Sequence, residues 1–127
     1  MFEVQTFPYL HHLVSTIEGE VDERCSLTSV LQALFPPGSM TGAPKLAAIQ
    51  AIERHEVFAR ELYSGIVGYV APNGFADFCV VIRTLFYSER DLCYSYHAGG
   101  AITWDSDPEE EWSELWLKGE ALRQVLN

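Results

Sequence analysis

Basic residues are scarce in this sequence: 8 Lys and Arg stand against 18 Asp and Glu, a formal net charge of -10. Nowhere do they cluster. Without clustered Lys and Arg a chain offers no electrostatic footprint to a phosphate backbone, which argues against nucleic acid as a partner. Long apolar runs are missing too. Segments such as Phe78 to Phe86 fall far short of the roughly 20 residues that a membrane-spanning helix needs. The opening MFEVQTFPYL has neither the basic start nor the long apolar core of a signal peptide. Together these absences predict a protein with no membrane partner and a cytoplasmic location.

Cysteine is sparse and unpatterned. Cys25, Cys79 and Cys93 are odd in number and lack CxxC or Cys/His metal spacing, which speaks against a disulfide framework and a zinc site. Cys79 and Cys93 sit inside apolar, strand-like runs, so the thiols are expected to be reduced and buried as small hydrophobes. No repeat, low-complexity tract or linker interrupts the chain, and residues 1–127 are expected to form a single unit.

Hydrophobic residues make up 48% of the 127, enough for one core. Glu3 to Gln5 and His12 to Val21 carry β-branched residues and predict extended chain. Ser26 to Leu34 predicts a short helix stopped by Phe35-Pro36-Pro37-Gly38. A second helix is expected to run to about His55, with Leu46, Ile49 and Ile52 on one face, Thr41 as its cap and Pro44 in its first turn. Tyr63 to Val70, Phe75 to Tyr87 and Leu92 to Ala98 read as strands joined by hairpin turns at Ala71-Pro72-Asn73-Gly74 and Ser88-Glu89-Arg90-Asp91, with a further strand at Ala101 to Trp104. Pro108 to Leu126 is the clearest helix. Asp107 can cap it, Pro108 suits its first position and Glu110 can complete a capping box. At 100° per residue Trp112, Leu115, Gly119, Leu122 and Leu126 share one face, bordered by a stripe of Glu111, Glu114 and Lys118. The fold class is α+β, an antiparallel sheet flanked by helices.

Several residues could carry chemistry. The Glu111, Glu114, Lys118 stripe is either a solvated helix face with a weak i,i+4 pair or half of a hard-cation site with a lysine beside it. Arg83 interrupts the apolar run from Phe78 to Phe86 and calls for an anion, either Asp77 on the same strand face or a substrate carboxylate held bidentately. His12, beside His11, is either a structural or exposed histidine or, with a reference pKa near neutrality, a group suited to general acid/base work. Gly38-Ser39-Met40-Thr41-Gly42-Ala43 places small residues and free N–H groups before a helix, a setting that welcomes negative charge, although it lacks P-loop spacing. Gly99-Gly100 either lets backbone amides approach a ligand or marks a bulge.

The ordered blocks His12-Leu13-Val14-Ser15, Gly38 to Lys45, Tyr63-Ser64-Gly65-Ile66-Val67-Gly68-Tyr69, Asp77 through Arg83-Thr84, Ala98-Gly99-Gly100-Ala101-Ile102, and Asp105-Ser106-Asp107-Pro108 with Glu111, Glu114 and Lys118 resemble the C-terminal half of the chorismate-binding enzyme family. That family includes anthranilate synthase component I and aminodeoxychorismate synthase component I. The resemblance runs from about His11 to Leu126, and Ser39 together with the Gly99-Gly100-Ala101-Ile102 and Asp-Ser-Asp-Pro segments is more similar to the aminodeoxychorismate synthase branch.

The resemblance implies roles. His12 corresponds to a histidine near the departing C4 hydroxyl of chorismate and Ser39 to a hydroxyl lining the same pocket. Tyr63 and Arg83 correspond to the pair that holds the enolpyruvyl carboxylate, supported by Gly99, Gly100 and neighbouring amides. Glu111 and Glu114 correspond to carboxylates of a Mg2+ site, and Lys118 to a lysine near the ring carboxylate. The implied reaction is amination of chorismate at C4 for p-aminobenzoate and folate synthesis, with ammonia delivered by a glutamine amidotransferase subunit; the alternatives are the anthranilate synthase component I reaction and a non-catalytic binding or regulatory module. Family members are several times longer, so the chain is expected to be a fragment with little activity of its own. A face that packs on a missing half would be exposed, which implies self-association.

Overall fold

The structure, a computed structural model, describes residues 3–8 and 10–126. The chain divides into two compact units, Met1–Ala33 and Leu34–Asn127. In the first, β1 (Glu3–Phe7) and β2 (Leu10–Val14) form an antiparallel hairpin with Glu3 opposite Val14 and Phe7 opposite Leu10. The extended segment expected to reach Val21 ends as a strand at Val14, which lies opposite Glu3. Helix α1 (Leu27–Leu34) follows. The Ser26 hydroxyl accepts a hydrogen bond from the Ser29 N–H at 3.1 Å, which satisfies one of the amides that a helix start leaves open. Pro36 and Pro37 then stop it: neither ring nitrogen can donate to the ladder.

The second unit opens with a 3-10 turn at Gly38–Met40 and helix α2 (Lys45–His55). Thr41 does not cap α2; its hydroxyl donates to the Pro37 carbonyl at 3.1 Å and closes the preceding turn. Pro44 takes the cap position, just outside the first helical turn, without a side-chain hydrogen bond.

Strands β3 (Ile66–Val70) and β4 (Ala76–Val80) pair antiparallel, with Gly68 opposite Phe78. A Cβ at Gly68 would stand 2.4 Å from the Phe78 ring and 2.1 Å from the Asp77 carbonyl oxygen, so this position has no room for a side chain. The Ala71 to Gly74 turn reverses the chain as expected, with Gly74 at φ +85. Strands β5 (Leu85–Ser88) and β6 (Cys93–Tyr96) form another antiparallel ribbon. Its turn is stitched by Ser88, whose hydroxyl donates to Asp91 at 2.8 Å and accepts from the Asp91 N–H at 3.2 Å.

The α+β class and the antiparallel pairing hold, and the pairing falls into three two-stranded ribbons. The strand expected over Phe75 to Tyr87 divides because the chain turns between Val80 and Leu85, with Arg83 at φ +51, a conformation no strand accommodates. Ala101 to Trp104 is not a strand, and Trp104 is 99% exposed. One pair of contacts prolongs β3–β4: Ser64 donates its N–H to Val81 at 3.0 Å and Val81 donates to Gly65 at 2.9 Å. Val81 and Ser64 are also the buried non-glycine residues among those described.

Helix α3 (Pro108–Arg123) continues into a 3-10 turn at Gln124–Leu126. Asp107 Oδ1 accepts from the Glu109 and Glu110 N–H groups at 2.9 and 3.1 Å, while the acidic first turn complements the helix dipole. Gly119 is buried against Tyr96 of β6: a Cβ there would stand 3.0 Å from the phenol oxygen. The absence of a side chain thus sets how closely α3 approaches β6. Leu115 and Leu122 flank this contact half-buried, whereas Trp112 at the N-terminal end of the same face remains mostly exposed. Cys25, Cys79 and Cys93 are free, as expected, but exposed rather than buried; Cys79 and Cys93 lie on two-stranded ribbons with no layer covering them among the described residues. No helix among the described residues is long and apolar enough to cross a membrane.

Replacing Asp107 by Ala removes the acceptor for two open amides of α3 and is expected to destabilise the helix by about 1 kcal/mol. Urea unfolding followed by circular dichroism reads this as a lower midpoint; an unchanged midpoint contradicts the capping role.

Candidate functional site

Gly99 and Gly100 lie between β6 and α3, and three side chains converge on them. The Lys118 ammonium, reaching back from α3, donates to the Gly99 carbonyl at 3.1 Å and pairs with Glu114 at 2.5 Å. Tyr63 approaches from the start of β3, its phenol oxygen 2.7 Å from where a Cβ of Gly99 would stand. Glu111 closes on Gly100, with one carboxylate oxygen 3.1 Å from the corresponding Cβ position. A residue with a side chain at Gly99 would push the tyrosine away, and at Gly100 it would crowd the carboxylate. Of the sequence-derived candidates, the fold therefore gathers Tyr63, Gly99, Gly100, Glu111, Glu114 and Lys118.

Helix geometry explains the acidic edge. Glu111 and Glu114 are three residues apart and Glu114 and Lys118 four, so all three project from neighbouring turns of α3. The Ser106 hydroxyl donates to the other Glu111 oxygen at 2.7 Å and itself accepts from the Thr103 N–H at 3.0 Å. Ser106 thereby ties the loop after Gly100 to the first turn of the helix. The Glu114–Lys118 pair is partly exposed, and such pairs contribute at most about 1 kcal/mol, so either partner can be turned to another ligand at small cost. Among the described residues no group of three or more His, Cys, Asp or Glu stands close enough to hold a metal ion. Glu111 and Glu114 supply two carboxylates of the type that hard cations take, and a full shell needs further oxygens.

Arg60 was not singled out in the sequence and proves to be the most connected side chain beside this cluster. Its Nε and Nη2 donate to the two oxygens of Glu56 at 2.8 and 2.5 Å, and its Nη1 donates to the Met40 carbonyl at 2.7 Å and to the Ser64 hydroxyl at 3.4 Å. The guanidinium carbon lies 5.7 Å from the centroid of the Tyr63 ring. Tyr63 also stacks against His97, centroids 5.4 Å apart and planes inclined by 26°. The His97 Nδ1 is buried and has no hydrogen-bond partner among the described residues. The available signal for Arg60 was a lone cation after the apolar run Val57-Phe58-Ala59, four residues beyond Glu56. Ser106 lies within the Asp105-Ser106-Asp107-Pro108 block without a role of its own, and His97 stands two residues before Gly99 in a segment read as strand.

The remaining candidates stand apart. Ser39 is exposed on the 3-10 turn that Arg60 grips through Met40. Arg83 is exposed in the break between β4 and β5, and none of the four ion pairs among the described residues involves it, so of its two candidate partners Asp77 is not engaged. The burial that made an internal partner necessary is also absent. His12 belongs to the first unit, in β2 opposite Gln5, with its ring edge-on to Phe7 at 6.0 Å.

Hydrogen bonding from Arg60 holds the Glu56 carboxyl below its ordinary pKa, assisted by the positive charge of Arg60 and by His97, and Glu56 raises Arg60 further above its own ordinary value. A carboxylate depressed in the folded state stabilises it fully above the unfolded pKa, near 4.3, and the contribution is lost as pH falls through the folded value. Exchange protection of the Arg60 Nε–H, followed by NMR from about pH 6 to about pH 3, is expected to hold at first and collapse at the acidic end. Protection that is flat across that range contradicts the pairing.

Residues 1–124 match the family described as chorismate binding enzyme. The chain is 43% identical to aminodeoxychorismate synthase of Streptomyces pristinaespiralis, an alignment covering 98% of this chain and 18% of that protein. It is 39% identical to anthranilate synthase component 1 of Aquifex aeolicus, covering 97% of this chain and 24% of that one. Against the chloroplastic aminodeoxychorismate synthase of Arabidopsis thaliana the identity is 41%, over 95% of this chain and 13% of the relative. The chain thus spans a quarter or less of the length of these curated relatives.

Proposed function

The chain belongs to the chorismate binding enzyme family, and from that premise we propose that it forms part of a chorismate site whose parent enzyme replaces the C4 hydroxyl of the substrate with an amino group, the aminodeoxychorismate synthase reaction. The observation that carries this reading is the convergence of Tyr63, Lys118 and Glu111 on Gly99 and Gly100. It joins a phenol hydroxyl, a cation and a carboxylate around exposed backbone, the mixture a dicarboxylate with a bridging metal requires.

In this reading Tyr63 and the amides around Gly99 and Gly100 hold one carboxylate of chorismate together with Arg83, which has no competing ion pair among the described residues. Lys118 faces the ring carboxylate. Glu111 and Glu114 would hold Mg2+, which would supply positive charge against the ring carboxylate. His12 is assigned proton exchange at the C4 oxygen, and Ser39 a hydroxyl contact to the substrate. Ammonia is supplied by a glutamine amidotransferase subunit, and the cytoplasm is the compartment of the reaction. A net charge of -10 opposes a dianion at long range, so binding depends on these local cations at distances where screening is weak.

Titration of the chain with chorismate tests this. Affinity is expected to require Mg2+ and to fall about tenfold or more in Arg83→Ala and in Glu114→Ala, as loss of a charged hydrogen-bonding partner implies. Equal affinity in the wild type and both variants refutes the assignment. The anthranilate synthase relative favours a second reading, in which pyruvate is eliminated after amination; anthranilate among the products of the parent enzyme selects it.

Large apolar side chains are exposed in the second unit, among them Leu46, Val67, Tyr69, Phe75, Ile102 and Trp104. We propose that they drive self-association of the isolated chain through apolar burial. Light scattering is expected to show dimers or larger species growing with concentration, and a monomer at every concentration rules this out.

A further inference from the structure

We propose that Arg60 is a positioning residue of this site: its guanidinium fixes the turn that carries Ser39 against the segment that carries Tyr63, and so sets the separation of two groups around the substrate. The inference rests on the chorismate reading for what the two groups do, but the latch itself stands on geometry. Arg60 bonds the Met40 carbonyl, one residue after Ser39, and the Ser64 hydroxyl, one residue after Tyr63, with the same nitrogen. Its face lies over the Tyr63 ring. Glu56, at the end of α2, takes the other two donor positions and holds the plane of the guanidinium in place.

The chemistry of the side chain accounts for the choice of residue. Four acceptors in three directions are met by donors of one rigid plane, and a planar cation can lie against an aromatic face while bonding at its edge. Lysine can reach one or two of these acceptors, and its ammonium has no plane to orient. Ser64 adds to the rigidity. It is 8% exposed and held at φ +64, and its N–H is committed to Val81, so the end of the latch at β3 cannot shift without breaking backbone pairing. The Met40 end has no such ladder: Gly38–Met40 is a single 3-10 turn, closed by the Thr41 contacts to Gly38 and Pro37. Arg60 is therefore the device that registers a single isolated turn on a strand start fixed by backbone pairing. His97, stacked on Tyr63, adds a second contact that restrains the orientation of the ring.

The test uses the full chain labelled with nitrogen-15, with Arg60→Ala, Arg60→Lys and Glu56→Gln compared with the wild type. Arg60→Ala is expected to shift the Ser39, Met40 and Tyr63 amide resonances while leaving those of Glu111 and Glu114 in place. Arg60→Lys should recover part of the shift, and Glu56→Gln should give a smaller displacement of the same residues. In chorismate titrations Arg60→Ala should weaken affinity by about tenfold, the order of loss that follows from misplacing a binding group by a fraction of an ångström. Global loss of dispersion in Arg60→Ala together with unshifted Ser39 and Tyr63 resonances in the two milder variants would mean that Arg60 merely supports the fold, and overturns the proposal. So do unshifted resonances in a folded Arg60→Ala. A wild-type chain that binds no chorismate refutes the functional reading alone, since the resonance shifts still decide the latch.

Discussion

Two adjacent residues without side chains govern the candidate site. Gly99 and Gly100 leave open the volume into which the Tyr63 phenol and the Glu111 carboxylate project, and they expose the carbonyl that receives Lys118. A side chain at either position would separate elements that now touch: the start of β3, the loop after β6 and the first turns of α3. Close approach of backbone to functional groups is the use to which glycine is suited, and its cost is the conformational entropy lost on ordering it. The same logic recurs at Gly119, where the missing side chain admits Tyr96 and fixes the distance from α3 to β6.

Charge is arranged locally against the sign of the whole. The chain is strongly acidic, yet the groups that surround Gly99 and Gly100 combine a lysine, two carboxylates and an aromatic flanked by a guanidinium. Glu114 and Lys118 neutralise each other through a pair that solvent weakens, which leaves both available to a ligand of higher charge. Arg60 differs: saturated by Glu56, Met40 and Ser64, it is a structural cation whose charge is spent inside the protein. Arg83, by contrast, is exposed and outside every ion pair among the described residues, so its charge is not committed to an internal carboxylate. The contrast between the two arginines comes from their surroundings, since both sit beside apolar runs in the sequence.

Helices and turns were legible because their causes are local. Asp107 before Pro108, the paired prolines after Leu34 and the Pro-Asn-Gly turn act over a few residues through φ restriction and capping, and each appears where the sequence puts it. The apolar run from Phe78 to Phe86 misled for the opposite reason. Periodicity and β-propensity describe a pleated surface, and they do not register that Ser64 and Val81 pair as the last rung, after which the chain turns at Arg83. The expected burial of Cys79 and Cys93 failed with it, because a two-stranded ribbon covers neither face by itself.

By itself, then, the sequence determined the α+β class, the antiparallel hairpins, the capped acidic helix and the membership signalled by its ordered motifs, all of which depend on neighbours a few residues apart. Helical spacing alone was enough to put Glu111, Glu114 and Lys118 on one edge. Only the tertiary structure decided that this edge meets Gly99, Gly100 and Tyr63, that Ser106 steadies Glu111, and that Arg60 joins the turn of Ser39 to the start of β3. Those contacts link residues many positions apart through close approach and directional hydrogen bonds, and neither leaves a periodic trace in a chain of letters.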